Sequence, residues 1–127
     1  ALAAAAAVAA EEEAQADDLP VDLMRKVLYD EPNEHLEYLG GMSDRADSLE
    51  RTYMSPAHKQ SADRIKWWFR DAGMEAWVDC VGNVHGRLNG SDPDLPVLLM
   101  GSHYDTVRDA GKFDGPLGVL AAVAAVK

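Results

Sequence analysis

The sequence has little of three things that narrow a protein's class: cysteine, positive charge and long apolar runs. Its single cysteine, Cys80, excludes an internal disulfide, and the alternating residues around it predict a small apolar residue on a strand. Lysine and arginine number 12 against 22 aspartate and glutamate residues, which gives a net charge of −10. That charge argues against general nucleic-acid binding, because phosphates would be repelled.

The apolar run over residues 1–10 is too short to span a bilayer, which needs about 20 apolar residues, so no membrane partner is expected. It resembles the end of a signal-peptide apolar region without its basic segment, but a low-complexity alanine helix or a disordered leader explains it equally well. We interpret residues 1–19 as this Ala-rich leader with an acidic linker, and 20–127 as the folded part. Both ends of the chain are expected to be cuts in a longer sequence.

Two helical regions are predicted from the spacing of apolar residues. The first covers two short segments that stop at the glycine pair 40–41. The second is predicted over 56–72, because Ser55 is a good N-cap and Gly73 suits the C-terminal turn. Its apolar stripe consists of Ile65, Trp68 and Phe69.

After this helix the apolar period becomes that of a β-strand. Residues 74–80 alternate between apolar and polar, 84–88 can return as a second strand, and 96–101 form a short continuous apolar run. Such a run is typical of a strand buried on both faces of a mostly parallel sheet. Residues 116–126 are almost wholly apolar, which suits a helix packed inside a large domain. The order of the elements predicts an α/β architecture.

The residues that can carry chemistry lie between the apolar run and the last helix, in the string GSHYDTVRDAGKFDG over 101–115. In open α/β sheets, ligands bind at the carboxyl ends of strands, which is where this string is placed. His103 and Asp105 are two residues apart, so an extended segment points both to the same side. An aspartate there can accept the second N–H of the imidazole, which makes the other nitrogen a better metal ligand.

Asp114 can join this pair, because the intervening loop is long enough to fold back toward His103. A carboxylate has two oxygens and can bridge two cations, and two divalent ions about 3.5–4 Å apart can activate a water. Gly111 and Gly115 give the loop the backbone freedom that such a return needs. On spacing alone, a surface loop in which His103 and Asp105 only hydrogen-bond remains an alternative.

The complete string GSHYDTVRDAGKFDGPLGVL resembles the signature of metallopeptidase-like amidohydrolases of the M20 type. This superfamily includes allantoate amidohydrolases, ureidoglycolate amidohydrolases and N-carbamoyl-L-amino-acid hydrolases. The strings RTYMSPAH, WFRDAGM and VDCVGNVHGRL extend the resemblance over roughly residues 45–127, and the form of the motifs is most like the plant allantoate deiminase branch. The resemblance implies the N-terminal part of the metal-binding catalytic domain of a two-domain α/β enzyme, without its second domain.

The resemblance also implies roles for individual residues. It makes His103 a metal ligand, Asp105 the catalytic residue that orients this histidine, and Asp114 the ligand that bridges both metals. The peptide after the bridging aspartate is often cis in these enzymes, which makes Asp114–Gly115 a candidate for a cis bond. The general-base glutamate and the remaining ligands of the family would follow beyond Lys127.

For the intact enzyme, the resemblance implies a ureide hydrolase of purine catabolism. Two divalent cations, Mn²⁺ with Zn²⁺ as the alternative, would activate a water for attack on allantoate, giving ureidoglycine, ammonia and CO2. A homodimer and a location in the endoplasmic reticulum are expected. With two ligands and no base, the 127-residue chain is expected to be inactive alone. There are two alternatives. One is a related enzyme that acts on ureidoglycolate or an N-carbamoyl amino acid, and the other is a truncated product without catalytic activity.

The remaining conspicuous side chains are expected to have structural roles. His35 and His58 lie in polar helical or loop contexts and His85 on a strand, so none of the three is expected to bind a metal. The tryptophans are expected to pack rather than to stack on bases, because a basic groove is lacking; they are Trp67, Trp68 and Trp77. The solvated face of the long helix is predicted to carry Arg64, Lys66 and Arg70.

Overall fold

The computed structural model describes residues 20–127, so the interpretation of residues 1–19 lies outside the described part of the chain. The elements follow one another as helices, a pair of strands and a final helix. The helices are α1 (Val21–Arg25), α2 (Glu31–Gly40), α3 (Pro56–Asp71) and α4 (Pro116–Val126), and the strands are β1 (Glu75–Val78) and β2 (Val84–Arg87). No described helix is long and apolar enough to cross a membrane.

Instead of the two separate segments predicted before the glycine pair, α1 and α2 form one helical run joined by a π-helical turn at Lys26–Asp30. Pro32 explains the wider turn. A proline inside a helix lacks the N–H for a hydrogen bond, and its ring clashes with the carbonyl four residues earlier, here that of Leu28. Leu28 lies within the π-helical turn, where the carbonyls are spread further apart. The run ends at Gly40, as predicted.

The predicted helix over 56–72 is confirmed as α3. The Ser55 side chain caps it by accepting a hydrogen bond from the N–H of His58 at 3.2 Å. Gly73 follows with a φ of +80°, which is the left-handed conformation that glycine adopts after a helix end. The predicted apolar stripe of α3 faces the core, with Ile65 and Trp68 buried and Phe69 packed beside them.

The two strands form an antiparallel hairpin in which Glu75 pairs with Arg87 and Val78 with Val84. The predicted return strand is therefore confirmed. Gly86 lies so close to α3 that a Cβ would stand 2.5 Å from Cδ2 of Phe69, so the hairpin packs flush against the helix.

The turn of the hairpin is organised by the side chain of Asp79. It accepts hydrogen bonds from the backbone N–H groups of Val81 and Asn83 at 3.0 and 2.9 Å, and it contacts Nε2 of His85 at 3.0 Å. The hydrogen bonds from His85 and Asn83 lower the pKa of Asp79. Cys80 lies in this turn and is exposed, so its predicted place as an apolar strand residue is wrong. The turn bonds of Asp79 end the strand before that position.

The core lies where α2, α3 and α4 meet, with the hairpin packed on α3. The predicted apolar helix at 116–126 is confirmed as α4, and one of its faces enters this core. The buried cluster consists of Leu36, Leu39, Ala62, Ile65, Trp68, Tyr104, Val119 and Leu120.

The buried strand predicted at 96–101 is wrong for this chain. The segment forms no strand and its apolar side chains are exposed, up to 91% at Leu99. Within residues 20–127, no backbone group of 95–103 bonds to another backbone group. A strand is buried on both faces only when neighbouring strands and covering helices surround it. The described residues supply one two-stranded hairpin elsewhere, so this segment has no neighbour.

Of the three tryptophans that are expected to pack, Trp68 is buried and the other two are partly exposed. Trp68 is buried and its ring stacks on His35 with the centroids 4.0 Å apart. Trp67 and Trp77 are 54% and 42% exposed. Trp77 lies on the outer face of the hairpin, where its ring stacks on His85 at 5.1 Å. Helical phase alone separates the two adjacent tryptophans of α3, because neighbouring residues are about 100° apart around a helix.

Candidate functional site

Side chains alternate along the extended segment over 103–106. Tyr104 and Thr106 are buried, whereas His103 and Asp105 lie partly exposed on the opposite side. The hydroxyl of Tyr104 donates a hydrogen bond of 2.5 Å to the carbonyl of Gly82, which ties the segment to the hairpin turn. The backbone therefore projects His103 and Asp105 to one side, as their spacing predicts.

The imidazole of His103 lies between two aspartates. Its Nδ1 is 3.0 Å from the backbone oxygen of Asp105 and 3.3 Å from Oδ1 of the same residue. Its Nε2 is 3.5 Å from Oδ1 of Asp114, whose side chain is 82% exposed. We name these three residues the His103 cluster. The shorter contacts at Nδ1 favour the imidazole proton there, which leaves the lone pair of Nε2 facing the Asp114 carboxylate.

This arrangement fits a cation. An imidazole lone pair and a carboxylate that face each other repel unless a positive charge lies between them. Two ligands of a tetrahedral ion, each at about 2.1 Å from it, are roughly 3.4 Å apart, and Nε2 and Oδ1 are 3.5 Å apart. Imidazole and carboxylate are donors that both Zn²⁺ and Mn²⁺ accept. Asp105 faces the other imidazole nitrogen, and in the part of the chain that the structure describes no group of three or more histidine, cysteine or acidic side chains is arranged to hold a metal ion.

Glycines bring Asp114 to His103. Gly115 has a φ of +90°, and a Cβ there would stand 2.5 Å from Cε1 and 2.6 Å from the carbonyl oxygen of His103. One turn into α4, a Cβ on Gly118 would stand 2.7 Å from Cβ of Ser102. The start of α4 can therefore approach the segment only without these side chains. The Asp114–Gly115 peptide is not cis, so the cis bond that the resemblance suggested is absent from this chain.

His58 belongs to the surroundings of the site, although its sequence context suggested a polar position. It is buried, and its ring stacks on Tyr104 with the centroids 4.3 Å apart. Tyr53 meets its ring edge-on at 5.4 Å. The signal was present in the sequence: the core face of α3 recurs at helical spacing and includes Ala57, His58, Ser61, Ala62 and Ile65. His58 thus supports the segment of the His103 cluster from its buried side.

The buried histidines predict a loss of stability in mild acid. Desolvation lowers the pKa of His58 and of His35, so the neutral forms are preferred in the folded chain. A pKa that is lower in the folded than in the unfolded state contributes stability above pH of about 6.5, and this stability is lost as the pH falls through the folded-state pKa. We expect the midpoint of urea unfolding to be lower at about pH 5 than at about pH 7.5.

A matched variant separates this effect from other titrations. His58→Phe keeps a ring against Tyr104 but cannot be protonated, so its midpoint should change less between the two pH values. Circular dichroism at several urea concentrations measures both proteins. Equal midpoints of the original chain at the two pH values would contradict the prediction.

Known proteins match this chain over most of its length. It is 50% identical to allantoate deiminase 1 of Glycine max and 49% identical to allantoate deiminase of Arabidopsis thaliana, in both cases over 106 residues, or 84% of this chain. The chain spans only 22% and 20% of the lengths of these two relatives. Among solved structures, the crystal structure of AtUAH in complex with glyoxylate is 31% identical with a TM-score of 0.70, over 76% of this chain and 23% of that one.

No protein-family model matches the chain. The predicted mixture of helices and strands is nevertheless confirmed, because it coincides with part of a larger solved structure at an identity well above chance.

Proposed function

We propose, from the premise that this chain is homologous to the allantoate deiminases, that it forms part of the metal site of an enzyme that hydrolyses allantoate. The observation that carries the proposal is the 3.5 Å separation of His103 Nε2 and Asp114 Oδ1, which suits two ligands of one cation. The 50% identity to an allantoate deiminase exceeds the 39% and 42% identity to two N-carbamoyl-L-amino-acid amidohydrolases, which favours allantoate over an N-carbamoyl amino acid.

The residues of the His103 cluster have distinct tasks in this proposal. His103 and Asp114 would hold divalent cations, Mn²⁺ or Zn²⁺, through Nε2 and the carboxylate. Such ions, when bound, supply Lewis-acid chemistry that activates water and stabilises negative charge on the attacked carbonyl. Asp105 keeps the single imidazole proton on Nδ1, so the lone pair of Nε2 remains free to bind. The exposure of both ligands leaves room for a small substrate.

The overall reaction proposed is the hydrolysis of allantoate to ureidoglycine, ammonia and CO2. The general base and the other ligands are assigned to the large part of the relatives that this chain does not span. Two ligands without a base are too few for turnover, so we propose that the 127-residue chain alone is inactive. A homodimer in the endoplasmic reticulum is the form proposed for the full-length enzyme.

A segment exchange tests this function. Residues 20–127 replace the matching region of the Glycine max enzyme, and ammonia release from allantoate is measured with Mn²⁺. We expect the chimera to retain kcat/KM within about tenfold of the parent, a difference of about 1.4 kcal/mol in transition-state stabilisation. The isolated chain serves as the inactive control. A folded chimera that releases no ammonia would contradict the proposal.

A further inference from the structure

Arg51 is the bulkiest fully buried side chain of the described part, with 0% of its surface exposed. A guanidinium remains charged at any physiological pH, and burying a charge is costly unless hydrogen bonds and charges compensate for it. An apolar side chain of similar volume would fill the same space without the desolvation penalty of a buried charge. The position of Arg51 therefore needs an explanation beyond core packing.

The hydrogen bonds of Arg51 hold both peptide groups that flank Asp105. Its Nε donates to the carbonyl of Tyr104 at 2.7 Å, which belongs to the peptide before Asp105. Its backbone carbonyl accepts from the N–H of Thr106 at 2.9 Å, which belongs to the peptide after Asp105. Its own N–H donates to Oγ1 of Thr106 at 2.8 Å. Arg51 thus fixes the backbone on both sides of Asp105, the residue that faces Nδ1 of His103.

The other end of the guanidinium anchors this segment to the end of α2. Nη1 donates to the carbonyls of Leu39 and Met42 at 2.5 and 3.0 Å. The last carbonyls of a helix lack partners within it and carry partial negative charge, so a cation is favoured there. Burial lowers the pKa of Arg51, whereas the negative charge of Asp105 raises it, so the guanidinium and this carboxylate attract each other. Among the described residues, the buried Nη2 has no hydrogen-bond partner.

We propose that Arg51 is a positioning residue of the His103 cluster: it holds the backbone of Asp105 so that Nδ1 of His103 keeps its proton and Nε2 stays directed at Asp114. The arginine touches neither His103 nor Asp114, and it acts through Tyr104, Asp105 and Thr106. Its meaning for catalysis rests on the proposed function, but the geometry it controls exists in the 127-residue chain without metal or substrate.

The tautomer of His103 is the readout that a purely structural role would leave unchanged. Long-range ¹H–¹⁵N spectra of the histidine side chains at about pH 8.5, roughly two units above the imidazole reference pKa, distinguish Nδ1–H from Nε2–H. In the original chain we expect Nδ1–H at His103, whereas free imidazole side chains favour Nε2–H. In Arg51→Lys, which keeps the charge but cannot reach both anchors, we expect His103 to revert to mostly Nε2–H.

Two further variants keep the test decisive. Ile65→Val loosens the same core but leaves every hydrogen bond of Arg51 in place, so it should retain the Nδ1–H signal of His103. If Arg51→Lys does not fold, Thr106→Val takes its place in the test. This variant removes the hydroxyl that accepts the backbone N–H of Arg51, and we expect His103 to show both Nδ1–H and Nε2–H signals. The proposal is overturned if the folded Arg51→Lys chain, or Thr106→Val in its place, shows an unchanged Nδ1–H signal at His103. It is also overturned if His103 carries its proton on Nε2 in the original chain.

The segment exchange then links the geometry to catalysis. In the chimera, Arg51→Lys should lower kcat by 10- to 100-fold with a smaller change in KM, the range for groups that orient a metal ligand. Absence of activity in the unsubstituted chimera would count against the allantoate function alone, because the tautomer result is obtained without turnover.

Discussion

Asp114→Asn in the chimera is expected to reduce allantoate hydrolysis by about 10³-fold or more. The amide keeps the shape of the carboxylate but loses its charge, and Asp114 is the residue that faces Nε2 of His103 at 3.5 Å. A correctly held cation provides several kcal/mol of transition-state stabilisation, and about 4 kcal/mol corresponds to a 10³-fold change in rate. His103→Gln should have an effect of similar size, because it removes the other donor of the pair.

The control is Asp94→Asn, which makes the same chemical change at an exposed loop position without a side-chain partner in the described structure. Activity should then be nearly unchanged. Metal content after gel filtration gives a second measurement, in which the Asp114 and His103 variants retain less Mn²⁺ than the control. Wild-type rates and metal content in Asp114→Asn would remove this residue from the site.

Gly115→Ala is expected to destabilise the chain by roughly 2–5 kcal/mol and to separate Asp114 from His103. An L-residue at a φ of +90° is strained, and the added Cβ would lie 2.5–2.6 Å from the ring and the carbonyl of His103. The backbone of His103 cannot move aside freely, because the segment is tied at Tyr104 and Thr106. The loop or the start of α4 must shift instead, and the facing pair is lost.

Gly111→Ala is the matched control, since a Cβ there meets nothing within 4 Å. Urea unfolding of the 127-residue chain, followed by circular dichroism, should show a clearly lower midpoint only for Gly115→Ala. Equal midpoints for the two alanine variants would mean that Gly115 does not approach His103 as closely as the structure shows.

Elements governed by local rules were predictable from the sequence. Ser55 and Gly73 mark the ends of α3 because capping depends on the side chain and φ of single residues. Both α4 and the hairpin followed from apolar periodicity. The convergence of His103, Asp105 and Asp114 was expected partly from spacing and mainly from a family resemblance, since spacing alone left a surface loop open.

Predictions failed where burial depends on partners distant in sequence. The run at 96–101 is apolar enough for a buried strand, but a strand needs neighbours, and residues 20–127 supply none for it. His58 was placed in a polar context because its neighbours in sequence are polar, yet its contacts are Tyr53 and Tyr104. Side-chain type indicates the preference for burial, whereas the surface that buries a residue is made by other parts of the chain.

By itself, the sequence determined the cap and period of α3, the apolar character of α4 and the identity of the donors at 103, 105 and 114. Only the tertiary structure decided that the imidazole of His103 faces the carboxylates of Asp105 and Asp114 across 3.3–3.5 Å, and that Arg51 bonds to Thr106, which lies 55 residues further along the chain. The physical reason is that helix caps and periodicity are properties of a few consecutive residues. The distance between Nε2 of His103 and Asp114 instead depends on how a helix end, a loop and an extended segment pack together.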